Sequence, residues 1–179
     1  MKLSLLLHVC CAPCTIIPLE YFQREYEVTL FYYNPNIHPY KEYIDRLSSV
    51  RLLSDEYHIP LVEGPYDDHS FLKTILNHPG EPSRCRDCYW IRFVKLEEMA
   101  EQMGIPYVST TLLYSIYQKH DLIKETAFQY IQKRTFLYRD FRHHFRKGVQ
   151  IAKERNYYRQ AYCGCLFSNY DRYKKKQAR

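Results

Sequence analysis

Seven cysteines fall in three short clusters: Cys10, Cys11 and Cys14; Cys85 and Cys88; Cys163 and Cys165. Cysteines used as small core residues would scatter along the chain. Thiols gathered at such close spacing point instead to metal binding, redox chemistry or both. The count is odd, and the opening MKLSLLLHVCC has too short and too broken an apolar run for a secretory signal. A reducing, cytoplasmic setting is therefore expected, with thiols rather than a framework of structural disulfides.

The first cluster, His8-Val9-Cys10-Cys11-Ala12-Pro13-Cys14, follows the apolar run Leu3 to Leu7, which reads as a buried strand. An amphipathic stretch from Thr15 to Arg24 comes next, and Pro13 stands where a first helical residue tolerates proline. The thiols thus occupy a strand-to-helix turn. Free backbone N–H groups and the positive helix end favour thiolate there, and thiolate is the form that binds metal. Cys85-Arg86-Asp87-Cys88 follows the breaker-rich loop His78 to Pro82 and opens a second helix. That helix has Ile91, Phe93, Val94, Leu96, Ala100 and Met103 on its apolar face, and Gly104 and Pro106 end it. Asp87 reads as a helix N-terminal carboxylate rather than a ligand.

Two such turns brought together offer four thiolates, which suit either a zinc ion or an iron–sulfur cluster. The pairs lie about seventy residues apart, far beyond the ~15–20 of a compact zinc module. A whole domain must therefore assemble the site, and the surplus thiol argues against a merely structural zinc. Cys163-Gly164-Cys165 can close into a small strained ring, a reversible store of two electrons, or supply two more metal ligands.

These clusters need a scaffold. Strand-like runs recur at Leu3–Leu7, Val28–Tyr33, Pro60–Val62 and Tyr107–Leu113, with helical patterns between them. One such pattern runs from Pro39 to Tyr57, with Tyr43, Ile44, Leu47, Val50 and Leu53 at helical spacing. The alternation predicts an α/β fold, a parallel sheet with helices on both faces. Ligands of such sheets bind at the carboxyl ends of strands, near a switch point. That rule gathers Cys10, Cys11 and Cys14, the segment Asn34 to Pro39, and Thr110-Thr111 with Gln118, Lys119 and His120. A core over residues 1–132 is expected, with a basic helical and loop extension, 133–179, packed on it as part of one domain.

The charge is uneven. Residues 133–179 carry 14 Lys/Arg and 3 Asp/Glu, whereas residues 1–132 carry 12 and 17; the whole chain is at +6. In the basic part, Arg139, Arg142, Arg146, Lys147 and Arg159 alternate with Phe136, Tyr138, Phe141, Phe145, Tyr157 and Tyr158. Cations interleaved with rings suit a phosphate backbone with unstacked bases; a solvated basic face over a tyrosine-rich core is the plainer alternative. No apolar run approaches the ~20 residues that span a bilayer, so no membrane partner is expected. Walker loops, dinucleotide glycine fingerprints and H-E-x-x-H are absent from the sequence. His8, His38, His78 and His120 are each a candidate ligand or base, or an ordinary hydrogen-bonded side chain.

Taken together, HVCCAPC (8–14), YNPNIHPYKEY (33–43), RCRDCYWIR (84–92), TTLLYSIYQKH (110–120), FLYRDFR (136–142) and YRQAYCGC (158–165) resemble the cobalamin-independent epoxyqueuosine reductase family. The blocks occur in family order from Val9 to Phe167. The resemblance implies removal of the epoxide oxygen from epoxyqueuosine at the wobble position of tRNA, on a HUP-type α/β core. It implies a [4Fe–4S] cluster on Cys10, Cys11, Cys85 and Cys88, where spacing alone would have paired Cys11 with Cys14. A redox-active Cys163–Cys165 disulfide and an additional mononuclear iron are also implied. Cys14 is then a neighbour of the cluster or a ligand of that extra iron. His38, Tyr40 or His120 would give the proton, the basic segment would hold the anticodon stem-loop, and an external donor would supply electrons. Ser115-Ile116-Tyr117-Gln118 departs from the family's SPYQ by the loss of its proline. Two rival readings are a zinc-stabilised RNA-binding module without catalysis and a tRNA-thiolating enzyme. The lack of an ATP-pyrophosphatase loop after the first strand weighs against the second.

Overall fold

The computed structural model describes residues 2–78, 80 and 82–177. Its centre is β1 (Leu3–His8), in which Leu5, Leu6 and Leu7 are all fully buried. A strand that is apolar on both faces has to lie inside a sheet covered on both sides. β1 pairs in parallel with β2 (Tyr26–Tyr32) on one flank and β4 (Tyr107–Thr110) on the other. β3 (Leu61–Glu63) and β5 (Thr135–Phe136) complete an all-parallel sheet in the order β3-β2-β1-β4-β5. The helices are α1 (Ala12–Phe22), α2 (Tyr40–Tyr57), α3 (Asp68–Leu76), α4 (Ser83–Gln102), α5 (His120–Tyr130), α6 (Phe145–Glu154) and α7 (Leu166–Gln177). None of the described helices is long and apolar enough to cross a membrane.

The expected α/β architecture is present, with local differences. α1 starts at Ala12 rather than near Thr15, with Pro13 in its first turn. The run Tyr107–Leu113 divides: the strand stops at Thr110, whose Oγ1 accepts the Leu112 amide at 3.2 Å, and Thr111–Tyr114 form a 3₁₀ turn. β5 is too short to show in the sequence pattern. It lies just beyond residue 132, so the sheet takes its last strand from the basic segment.

Besides β5, contacts at α6 and in the loop before α7 fasten that segment to the core. Gly148 of α6 lies against Tyr114 and Ile17, and the Tyr114 hydroxyl donates to the Phe145 carbonyl at 2.7 Å. Further on, the irregular stretch before α7 is gripped by Arg46 of α2, which is 1% exposed. Arg46 pairs with Glu42 at 2.7 Å and donates to the carbonyls of Tyr162 and Cys163, both at 3.0 Å. Glu42 also accepts from the Tyr158 hydroxyl at 2.6 Å, and the Gly164 carbonyl accepts the His38 amide at 2.8 Å. Gly164 sits at φ +137°, and a Cβ there would lie 3.1–3.3 Å from Ile37, Asn36 and Arg46, so glycine is required twice over.

Two stability outcomes follow. A Cβ on Gly148 would fall 2.2 Å from the Tyr114 hydroxyl oxygen. Gly148→Ala should therefore cost about 1–3 kcal/mol in urea unfolding. Arg46→Met strips a buried carboxylate of its cation and should cost about 3–5 kcal/mol. The same variant should speed amide exchange across residues 162–165, whereas Gly148→Ala should leave that loop protected.

Candidate metal and redox centre

Strand pairing ends at His8, and the next residues leave the sheet between two neighbours. The Val9 carbonyl accepts from Asn34 Nδ2 at 2.8 Å, and the Cys10 amide donates to Thr111 Oγ1 at 3.3 Å. Cys11 is extended (φ −169°) and precedes the first turn of α1; its carbonyl accepts from Thr15 Oγ1 at 2.8 Å. The chain ends of β2, β1 and β4 thus hold a single turn at the switch point of the sheet. His8 braces it from below. Its Nε2 faces the Tyr33 carbonyl at 3.1 Å, which can only accept, so Nδ1 accepts from the Thr110 hydroxyl at 2.9 Å. Burial, reinforced by Arg92, lowers the His8 pKa to about 4. The ring is a neutral strut with both nitrogens engaged.

The sulfurs of Cys10, Cys11 and Cys14 are buried and lie within 4.8 Å of one another, close enough to share one metal ion. Hydrogen bonds from Cys11 and Cys14 hold the Cys10 thiol well below its usual range, against the opposing pull of burial. Cys11 is pushed up by burial and then by its bond to Cys10, and Cys14 is pushed up by its bonds to both neighbours. The downward direction expected at this helix end holds only at Cys10, because three sulfurs this close titrate together. Gln160 Nε2 donates to Cys11 Sγ at 3.0 Å; its Oε1 is buried and unpartnered among the described residues.

The other four thiols line one pocket. Cys85 and Cys88 come from the first turns of α4, and Cys163 and Cys165 from the loop held by Arg46; Phe71, Ile75, Arg84, Tyr89 and Arg92 complete the walls. All seven cysteines are free thiols. Cys163 and Cys165 therefore stand as a dithiol, where the resemblance implied a disulfide. Each is held by its own partners: Gln118 Nε2 donates to Cys163 Sγ at 3.2 Å, and the Ser168 amide to Cys165 Sγ at 3.4 Å. Burial pushes Cys163 up and raises Cys88 to about 12, although Arg92 opposes both shifts.

Arg92 links the two groups of thiols electrostatically. It is 2% exposed, and it donates from Nη2 to Cys88 Sγ at 3.2 Å and from Nε to the Cys88 carbonyl at 2.9 Å. Burial pulls its pKa down, but attraction to Cys88, Cys163, Tyr89 and Cys10 outweighs it, and the net direction is up. One guanidinium therefore acts electrostatically on a thiol of each group.

The remaining predicted residues spread more widely. His38 is buried, donates from Nδ1 to the Asn36 carbonyl at 2.9 Å and leaves Nε2 unpartnered among the described residues. Its ring lies 5.9 Å from that of Phe71, a wall of the pocket. Tyr40 is exposed against Tyr43 and Tyr66, and His120 faces Tyr138 at 3.0 Å; neither lines the pocket. Asp87 accepts from His78 at 2.9 Å. In the basic segment Arg139 lies over the Tyr21 ring, Arg142 is held by Asp140, and Arg146, Lys147 and Arg159 are exposed. Sequence reasoning missed Arg46, Arg92 and Gln160. Only Arg92 had a signal: it follows Cys88 by four residues, one helical turn, on the same face.

A family model described as Epoxyqueuosine reductase QueH matches residues 5–171. A Dehalococcoides mccartyi protein named Epoxyqueuosine reductase QueH is 36% identical, over 98% of this chain and 97% of its own. Proteins of the same name from Haemophilus influenzae and Histophilus somni are 32% and 31% identical. The matches cover 92% and 98% of this chain and 71% and 76% of theirs. With the cysteine-lined switch point and a match that spans nearly the whole sequence, the chain belongs to the epoxyqueuosine reductase QueH family.

Proposed function

We propose that Cys10, Cys11, Cys85 and Cys88 hold a [4Fe–4S] cluster, and that Cys163 and Cys165 act beside it on epoxyqueuosine at the wobble position of a tRNA. The observation that supports this is Arg92, which bonds to Cys88 of the pocket thiols and also acts through space on Cys10 at the turn after β1. Three thiols lie within 4.8 Å of one another at that turn, and four line one pocket. Soft thiols suit iron and sulfide, and the N–H groups of Arg92, Gln118 and Gln160 aimed at sulfur are the kind that tune such a centre. When bound, the cluster would supply electrons one at a time. Cys14, beside Gln160, is the thiol left for an additional mononuclear iron.

The overall reaction balances on the Cys163/Cys165 pair. The two thiols lose two electrons and two protons and become a disulfide. The epoxide gains them, loses its oxygen as water and leaves an alkene. Burial keeps the Cys163 proton on sulfur until then. His38, with Nδ1 committed to the Asn36 carbonyl, is left with Nε2 as the atom that takes up and passes on a proton. An external electron donor then returns the disulfide to the dithiol. Arg139, Arg146, Lys147 and Arg159 face the RNA phosphates; Arg142 contributes less, because Asp140 already neutralises it.

Anaerobic loading with iron and sulfide should turn the protein brown. Cys88→Ser should lose that colour, while Cys163→Ser should keep it and drop turnover of epoxyqueuosine-containing tRNA to background. A colourless protein with one tightly held zinc per chain would overturn the reading in favour of the zinc-stabilised module. Arg146→Ala or Lys147→Ala should weaken tRNA binding without regard to sequence, each lowering the salt slope by about 1 in a filter-binding titration.

A further inference from the structure

We infer that Arg92 is the fixed internal counter-charge of the cluster and sets its reduction potential. The inference rests on the cluster reading above and goes beyond it. Among the described residues two arginines are essentially buried, and their surroundings differ. Arg46, 1% exposed, has a carboxylate at 2.7 Å and two backbone carbonyls. Arg92, 2% exposed, has no carboxylate among the described residues. Its partners are one carbonyl, one sulfur and the face of the Tyr89 ring, 5.3 Å away.

A buried cation without a counter-charge is costly. No carboxylate stands beside it among the described residues, so the anion it faces is the set of thiolates together with the group they bind. Iron and sulfide bound by four thiolates carry net negative charge, which grows by one on reduction. A positive charge fixed a hydrogen bond from Cys88 Sγ favours the more negative, reduced form. Arg92 therefore raises the potential. It acts through the ligands rather than on the substrate, which makes it a positioning residue.

The test is an anaerobic dithionite titration of the loaded wild type and of Arg92→Gln, Arg92→Met and Arg92→Lys, following the visible colour and the spin signal of the reduced cluster. Both neutral variants should be harder to reduce by at least about tenfold, a shift of about 59 mV for a one-electron couple. Arg92→Lys, which keeps the charge, should stay near wild type. Neutral variants with wild-type iron and sulfide content and a wild-type potential overturn the inference, as does a lysine variant that falls as far as glutamine. Without the cluster, Arg92→Met should unfold no earlier than wild type, since it removes an uncompensated charge. A methionine variant that fails to fold in that state assigns Arg92 to the scaffold and also overturns the inference. A wild type that takes up no cluster sinks the parent reading instead, so the two failures are distinct.

Discussion

A central parallel strand has a polar problem at its carboxyl end. Inside the sheet both neighbours satisfy its backbone, but where it leaves, its amides and carbonyls must find partners in a region that helices have already covered. In this protein β1 leaves between β2 and β4, and the solution uses side chains from both: Asn34 to the Val9 carbonyl, Thr111 to the Cys10 amide, Thr110 and Tyr33 to His8. The turn so fixed carries three of the seven thiols. The site therefore depends on the order of strands. With β4 elsewhere, Thr110 and Thr111 would not reach the turn, and the sulfurs would lose their frame.

The second half of the site comes from further along the chain and is held by charge. Residues 157–165 lack regular secondary structure, so tertiary contacts have to satisfy their backbone. Arg46 does this with two carbonyls at once, and Glu42 and Tyr158 close the circuit. A planar guanidinium suits this role because its donors form a rigid fork. The irregular backbone is thereby held in place, and the thiols on either side of Gly164 open on the same pocket as Cys85 and Cys88.

Much of this was legible in the residues. The apolar runs located the three main strands, and the rule that ligands gather at carboxyl ends placed Cys10 and Thr111 together before any geometry was known. The cysteine spacing announced metal or redox chemistry, and the ordered blocks of motif identified the family. What stayed hidden was tertiary. β5 is two residues long and exists because β4 presents an edge to it. Arg46 and Gln160 look like ordinary surface residues in sequence; only packing buries the one and turns the other toward Cys11. The acidity of the first thiols is tertiary for a related reason: a helix end acts on one cysteine at a time, whereas three sulfurs in contact titrate as one system.

The seven thiols do not share one electrostatic surrounding. A ligand has to give up its proton to bind metal, whereas a thiol that serves as reductant has to keep its proton until it is used. Cys10 meets the first need: its neighbours donate to it and its pKa falls. Cys163 suits the second: burial raises it against the opposing pull of Arg92 and of the Gln118 amide bonded to it. Arg92 is positioned between these demands. It bonds to Cys88 and reaches Cys163 only through space, so its charge acts most strongly on a proposed ligand and more weakly on the dithiol.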